Sequence, residues 1–290
     1  MSISQSFAKL IGRIQPTATE VSSAKQHLST IQARLETVFD LSSCRVTGSF
    51  NRDTSIHGFS DTDLFAVFRK AQFTRGGNIN SSTSVLENIR QDLLARYPYT
   101  PLGKDGMAIT IKFSDGQIVD VVPALFDFMF KEKWPVYLIP DGIGGWMHSS
   151  PSLYDAYIRQ CDEQSRGKLK YVAQLFKFWR GCRTPKIPLS SFHIEMVLAS
   201  EAICLGVRSY GECVRDILRS LAERNCRAIR DPYGISGNIA AVKTASQMET
   251  ALASVRNSRN HANSAVEAEP YGLTEALRQW KIVFNGNFPS

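Results

Sequence analysis

The sequence predicts an α+β protein of two lobes, a mixed-sheet lobe over residues 1–150 and a helical-bundle lobe over residues 151–290. Three observations carry this reading. Strand-like runs bounded by Gly, Ser, Asn and Asp turns are confined to the first half. From Pro151 onward, apolar residues recur at helical spacing between Gly and Pro breaks. The length of 290 residues, with 43% apolar and 21% charged, is ordinary globular composition and ample for two cores.

Taken in order, Val21, Ala24, Leu28, Ile31, Leu35 and Val38 recur at steps of three and four. They predict a helix over 17–39, started by Pro16 and Thr17 and long enough to serve as a spine for both lobes. A short strand at Cys44–Thr47 leads into a turn rich in Gly, Ser and Asn, and Thr62–Phe68 is strand-like. Ser82–Arg96 reads as a helix that stops before Pro98. Met107–Phe113 and Gln117–Val122 form a hairpin around Ser114-Asp115-Gly116, and Val136–Ile139 adds a further short strand. The second half predicts helices at 151–163, 168–181, 191–206, 210–225, 239–256 and 271–283, no strand, and a loop at 257–270.

Composition narrows the function. No window reaches the ~18 consecutive apolar residues of a membrane span, and the N-terminus lacks the apolar core of a signal peptide, so a cytoplasmic location without membrane contact is expected. The net charge of +7 favours anionic partners. No block of consecutive Lys or Arg marks a nucleic-acid site. The six cysteines form no Cys-x-x-Cys pair and read as free thiols rather than zinc ligands.

The chemistry concentrates in Gly48-Ser49-Phe50-Asn51-Arg52-Asp53-Thr54 and the following Ser60-Asp61-Thr62-Asp63-Leu64. Residues two apart on a strand share a face, so Asp61 and Asp63 point the same way. Their charges repel unless a cation sits between them, and hard divalent ions accept such all-oxygen sites. Gly48-Ser49 offers unobstructed backbone N–H groups and a hydroxyl, as a phosphate cradle requires. Asp120 stands inside the apolar run Ile118-Val119-Asp120-Val121-Val122, where a carboxylate is costly unless paired or metal-bound. Three acids beside a Gly-Ser turn describe a two-metal site for phosphoryl chemistry.

The pattern from Gly48 to Leu64 resembles the signature of the polymerase-β-like nucleotidyltransferases. Within them it is most similar to the oligoadenylate synthetase and cyclic GMP-AMP synthase branch, including the bacterial CD-NTases. The resemblance extends through Val119–Ala124, Gly144-Gly145-Trp146, Lys168-Leu169-Lys170 with Phe176–Trp179, Ser190–Glu195, and Asp231-Pro232 with Gly237-Asn238. It implies a two-lobed polymerase-β-like fold and synthesis of a cyclic di- or trinucleotide signal, with release of pyrophosphate, in bacterial anti-phage defence. Two Mg²⁺ or Mn²⁺ ions would be held by Asp61, Asp63 and Asp120, with Asp120 also drawing the proton from the attacking hydroxyl. Ser49, beside Gly48, would hold the terminal phosphates, Lys168 and Ser191 the triphosphate, and Phe192 the donor base. Nucleoside triphosphates are the implied substrates and partner proteins the implied regulators. The adjacent Cys pair of the animal branch's zinc insertion is missing from the sequence.

Other readings stay open on the residues alone. The shared core also suits an enzyme that makes linear oligonucleotides or adds one nucleotide to a drug, protein or RNA end. A degenerate nucleotide-binding scaffold is a non-enzymatic alternative. Phe192 reads as base stacker or core residue, and Lys168 as phosphate ligand or solvated helix-end cation. Lys177 and Arg180 read as surface charges on an amphipathic helix, and Arg52 and Thr54 as supports of the turn.

Overall fold

The structure is a computed structural model that describes residues 2–58 and 61–290. Its helices and strands run in the order α1 (Ile3–Arg13), α2 (Ala18–Val38), β1 (Leu41–Thr47), α3 (Gly48–Asn51), β2 (Thr62–Phe68), β3 (Thr74–Arg75), β4 (Asn78–Ile79) and α4 (Ser82–Arg96). There follow β5 (Leu102–Asp105), β6 (Ala108–Lys112), β7 (Ile118–Phe130), β8 (Trp134–Pro140), β9 (Trp146–Ser149) and α5 (Pro151–Gln164). The remainder comprises α6 (Lys168–Gly181), α7 (Ser191–Ser200), α8 (Tyr210–Glu223), β10 (Ile229–Arg230), β11 (Asn238–Ile239), α9 (Ala245–Ala268) and α10 (Leu273–Val283). Two compact units result, residues 16–156 and residues 1–15 with 157–290, the boundary falling inside α5.

The first unit is built on a mixed sheet of seven strands among the described residues, with the path β1-β2-β7-β6-β5 and with β8 and β9 added beyond β7. β2 and β7 run parallel, and β1, β6 and β8 pair antiparallel to their neighbours. Alternation sorts the side chains by face. Leu64, Ala66 and Phe68 of β2, Val119 and Val121 of β7, and Ile109 and Ile111 of β6 form one core with Leu28, Ile31 and Leu35 of α2 and Ile89 and Leu93 of α4. Phe65, Val67 and Ala124 lie on the other face, with Tyr137 of β8. The predicted 17–39 helix is α2, begun by a Thr17–Glu20 capping box, and its buried stripe enters the sheet core.

The second unit is helical, with one short β10–β11 ribbon where the sequence suggests no strand. Three further departures from expectation bear on the architecture. Helix α1 was not anticipated, although Ile3, Phe7, Leu10 and Ile11 make a buried stripe behind a Ser2–Gln5 capping box. Its Phe7 packs against Trp280, Phe284 and Phe288, which is why residues 1–15 group with the helical unit rather than with the sheet. Strand β7 continues through Pro123 to Phe130, well past Val122. The 257–270 loop does not exist as such, because α9 runs unbroken from Ala245 to Ala268. Its buried seam is Ala251, Val255, Ser258, Ala262 and Ala265, small residues whose helical period carries little hydropathy. Trp179 closes on that seam, its Nε1–H donating to Ser258 Oγ at 2.9 Å.

Candidate active site

The site begins at the end of β1, where the chain turns at Gly48 with φ +67°. Two constraints make this position a glycine. The left-handed backbone disfavours other residues, and a Cβ built there would stand 1.8 Å from Asp63 Oδ2. Ser49 follows within α3, and its carbonyl accepts from Thr54 N–H at 2.9 Å, closing the turn. Thr54 is buried, in keeping with its expected supporting role.

Asp63 sits on β2 with Asp120 directly beside it on parallel β7. Thr47 of β1 is the register partner of Asp63 on the other side, and Thr110 of β6 is the partner of Asp120. A row Thr47–Asp63–Asp120–Thr110 thus crosses four strands on the face opposite α2 and α4. Thr110 Oγ1 donates to Asp120 Oδ1 at 2.6 Å. Asp61 is exposed and immediately precedes β2. Ser60 of the motif lies outside the described residues. Among the described residues, no group of three or more His, Cys, Asp or Glu side chains is arranged to hold a metal ion. The donor chemistry nevertheless fits a hard divalent cation. Asp63 and Asp120 supply adjacent carboxylates on one face, and the bare Gly48 Cα leaves the space that Asp63 Oδ2 occupies.

The loop carrying these groups is held by carboxylates that the sequence reading missed. Asp155 of α5 accepts from Asn51 Nδ2 at 2.7 Å and pairs with Arg52 Nη1 at 2.5 Å, both ionic side chains being at most 10% exposed. Arg52 therefore supports the turn through a partner about a hundred residues away. Glu20 accepts at one end from Thr17 N–H and, at the other, from Gly58 N–H at 3.0 Å, with His57 Nδ1 at 2.9 Å. Burial opposes ionisation of Glu20, but the hydrogen bonds from His57, Thr17 and Gly58 outweigh it and hold its carboxyl down to about 2. The local signal for Glu20 was the capping box itself, whereas nothing near Asp155 marks it.

In the helical unit, Lys168 opens α6 and its ammonium donates to the Gly206 carbonyl at 3.2 Å. Ser191 and Phe192 open α7, both half-buried, and Ser190 provides the cap, its Oγ accepting from His193 N–H. Phe192 is outside the fully buried core. Arg180 Nη1 donates to Ser191 Oγ. Lys177 is not a surface charge. Helix α6 is buried on nearly every side, and Lys177 pairs with Glu195 at 3.4 Å, with 7% and 1% of their side chains exposed. Arg180 likewise reaches inward, to Ser191 and the Ile187 carbonyl. Asp231, in the late Asp-Pro element, is buried and accepts from Tyr233, Ile235 and Ser236 N–H groups, which accounts for it structurally.

A mixed sheet presenting paired aspartates beside a glycine turn, with a helical second unit, is the architecture expected of a nucleotidyltransferase of the polymerase-β type. The sequence profile of the Second Messenger Oligonucleotide or Dinucleotide Synthetase domain matches residues 1–162, more than half the chain, and the chain belongs to that family, the bacterial CD-NTases. It is a cyclic-oligonucleotide synthase working on nucleoside triphosphates, and its family depends on divalent metal ions. It is 24% identical over 279 residues to a probable cyclic nucleotide synthase of Bacillus cereus, covering 84% of this chain and 81% of the relative. To a cyclic AMP-AMP-AMP synthase of Acinetobacter it is 22% identical, over 100% of this chain and 86% of the relative. Its fold matches CdnC of E. coli MS115-1 solved with ATP, at TM-score 0.76 and 17% identity over 99% and 98% of the two chains. CdnC has also been solved in complex with HORMA-deltaN, at TM-score 0.74, 17% identity and the same coverage. No helix among the described residues is long and apolar enough to cross a membrane.

Proposed function

We propose that the chain links nucleoside triphosphates into a cyclic di- or trinucleotide at the sheet face bearing Asp63 and Asp120, with Asp61 as the third carboxylate. The in-register pairing of Asp63 with Asp120 beside the glycine turn carries this reading. Mg²⁺ or Mn²⁺, two ions held by Asp61, Asp63 and Asp120, supply when bound the positive charge that the triphosphate and the attacking hydroxyl need. Ser49, which follows the turn at Gly48, engages the terminal phosphates. Asp120 accepts the proton of the attacking ribose hydroxyl. Lys168 and Ser191 hold the triphosphate, and Phe192 stacks on the donor base. Pyrophosphate leaves at each linkage, and a final intramolecular attack closes the ring.

The name of the Acinetobacter relative supports adenine as a base of the product, and its match over the whole chain favours a trinucleotide ring. The CdnC complex supports control by a regulatory partner protein. Anti-phage signalling in the cytoplasm is the setting that fits this family. Incubation with the four nucleoside triphosphates and Mg²⁺ or Mn²⁺, then phosphatase treatment and mass spectrometry, should yield a product without terminal phosphates. A phosphatase-sensitive product would point to linear synthesis. The Asp61→Asn/Asp63→Asn and Asp120→Asn variants should keep the fold and lose synthesis by several orders of magnitude. Near wild-type rates in either would overturn the assignment.

A further inference from the structure

The sequence of β6 dictates where Thr110 points. Ile109 and Ile111 enter the core beneath α2 and α4, so the residue between them must occupy the opposite face, in the row with Asp120, Asp63 and Thr47. Thr110 is half-buried there, and its hydroxyl donates to Asp120 Oδ1 at 2.6 Å. A bond of that length is at the short end for an O–H···O hydrogen bond. Threonine is stiff at χ1, so the donor itself has little room to wander. An aspartate alone can rotate its carboxylate about the Cβ–Cγ bond. The hydrogen bond at Oδ1 from a stiff neighbour on the adjacent strand restrains that rotation in Asp120.

Resting on the assignment of Asp120 to the reaction, we propose that Thr110 is a positioning residue that fixes the plane of the Asp120 carboxylate. Groups that orient a metal-binding carboxylate typically contribute about 10–100-fold in metal affinity or activity when removed. Thr110→Val keeps the shape and deletes the hydroxyl, whereas Thr110→Ser keeps the hydroxyl and deletes a methyl.

The test measures kcat, KM for ATP, melting temperature, and Mn²⁺ affinity by electron paramagnetic resonance with a non-hydrolysable ATP analogue bound. Thr110→Val should lower kcat and weaken Mn²⁺ binding by about tenfold or more, with KM and melting temperature little changed. Thr110→Ser should restore both to within about threefold of wild type, because the donor returns. Wild-type kcat and Mn²⁺ affinity in Thr110→Val would overturn the proposal. So would an equal loss in Thr110→Ser, since packing would then be the cause. If Thr110→Val does not fold, Thr110→Ala takes its place against the same criteria. Asp120→Asn, measured in parallel, separates the two layers of argument. Activity in that variant refutes the role of Asp120, whereas an inactive Asp120→Asn beside a fully active Thr110→Val refutes only the role of Thr110.

Discussion

Asp155 offers the sharpest perturbation, because it holds the signature turn from outside the motif. Asp155→Ala removes a carboxylate that pairs with Arg52 at 2.5 Å and accepts from Asn51 at 2.7 Å. The two ionic side chains are only 6% and 10% exposed, so solvent cannot replace what is lost. Breaking a buried pair from one side typically costs about 3–5 kcal/mol, and the low end applies because Arg52 makes further interactions. The Asn51 hydrogen bond adds about 1 kcal/mol, for a total near 4 kcal/mol. For a unit of this size, that corresponds to a fall in melting temperature of about 10–15 °C. The diagnostic variant is Arg52→Met/Asp155→Leu, which replaces the pair by apolar groups of similar bulk. It should recover most of the Arg52 contribution and melt well above Asp155→Ala, because no buried charge is left behind. Chemical and thermal denaturation of the three proteins supplies the comparison. A single variant within about 1 kcal/mol of wild type, or a double variant no more stable than the single, would refute the claim that this pair anchors the turn.

Gly48→Ala should be severely disabling, since the added Cβ would collide with Asp63 Oδ2 on a backbone already at φ +67°. Both synthesis and melting temperature should fall, and a variant indistinguishable from wild type would mean the turn has another shape. Glu20 predicts a pH dependence. Its carboxyl is held at about 2 in the folded chain against an ordinary 4.5, so its contribution is present in full above pH 4.5 and is lost as pH falls toward 2. The stability gap between wild type and Glu20→Gln, followed by urea unfolding, should therefore shrink across that acid range. A gap that is constant or widens on acidification would contradict the assignment.

Legibility followed the range over which each signal acts. Asp63 and Asp120 could be read from the sequence because alternation within a strand is local and an Asp inside Ile-Val-Asp-Val-Val demands an explanation. Helix α2 was legible for the same reason, its stripe and capping box lying within one segment. The second half of helix α9 was not, because a seam of Ala and Ser buries well beside Trp179 while reading as polar linker by composition. Lys177 misled in the opposite way. Amphipathic patterning assumes that one face of α6 meets water, and the surrounding helices remove that face. Asp155, Thr110 and the loop contacts of Glu20 depend on partners brought together only by the fold.

The register of the β2–β7 pair is what turns two separate aspartates into one site, and the apolar residues enforce it. Leu64, Ala66 and Phe68 must meet the same core as Val119, Val121 and Leu125, while Phe65 and Val67 must meet Ala124 and Tyr137. The observed alignment satisfies both faces and sets Asp63 beside Asp120, and any slip by an odd number of residues would not. A slip of one residue would turn Asp120 into the core beneath α2 and α4 and expose Val119 or Val121 in its place. That arrangement combines an unpaired buried carboxylate with a lost apolar contact, each separately costly. Hydrophobic packing on both faces thus holds the two strands in place and keeps Asp63 and Asp120 side by side on one face of the sheet.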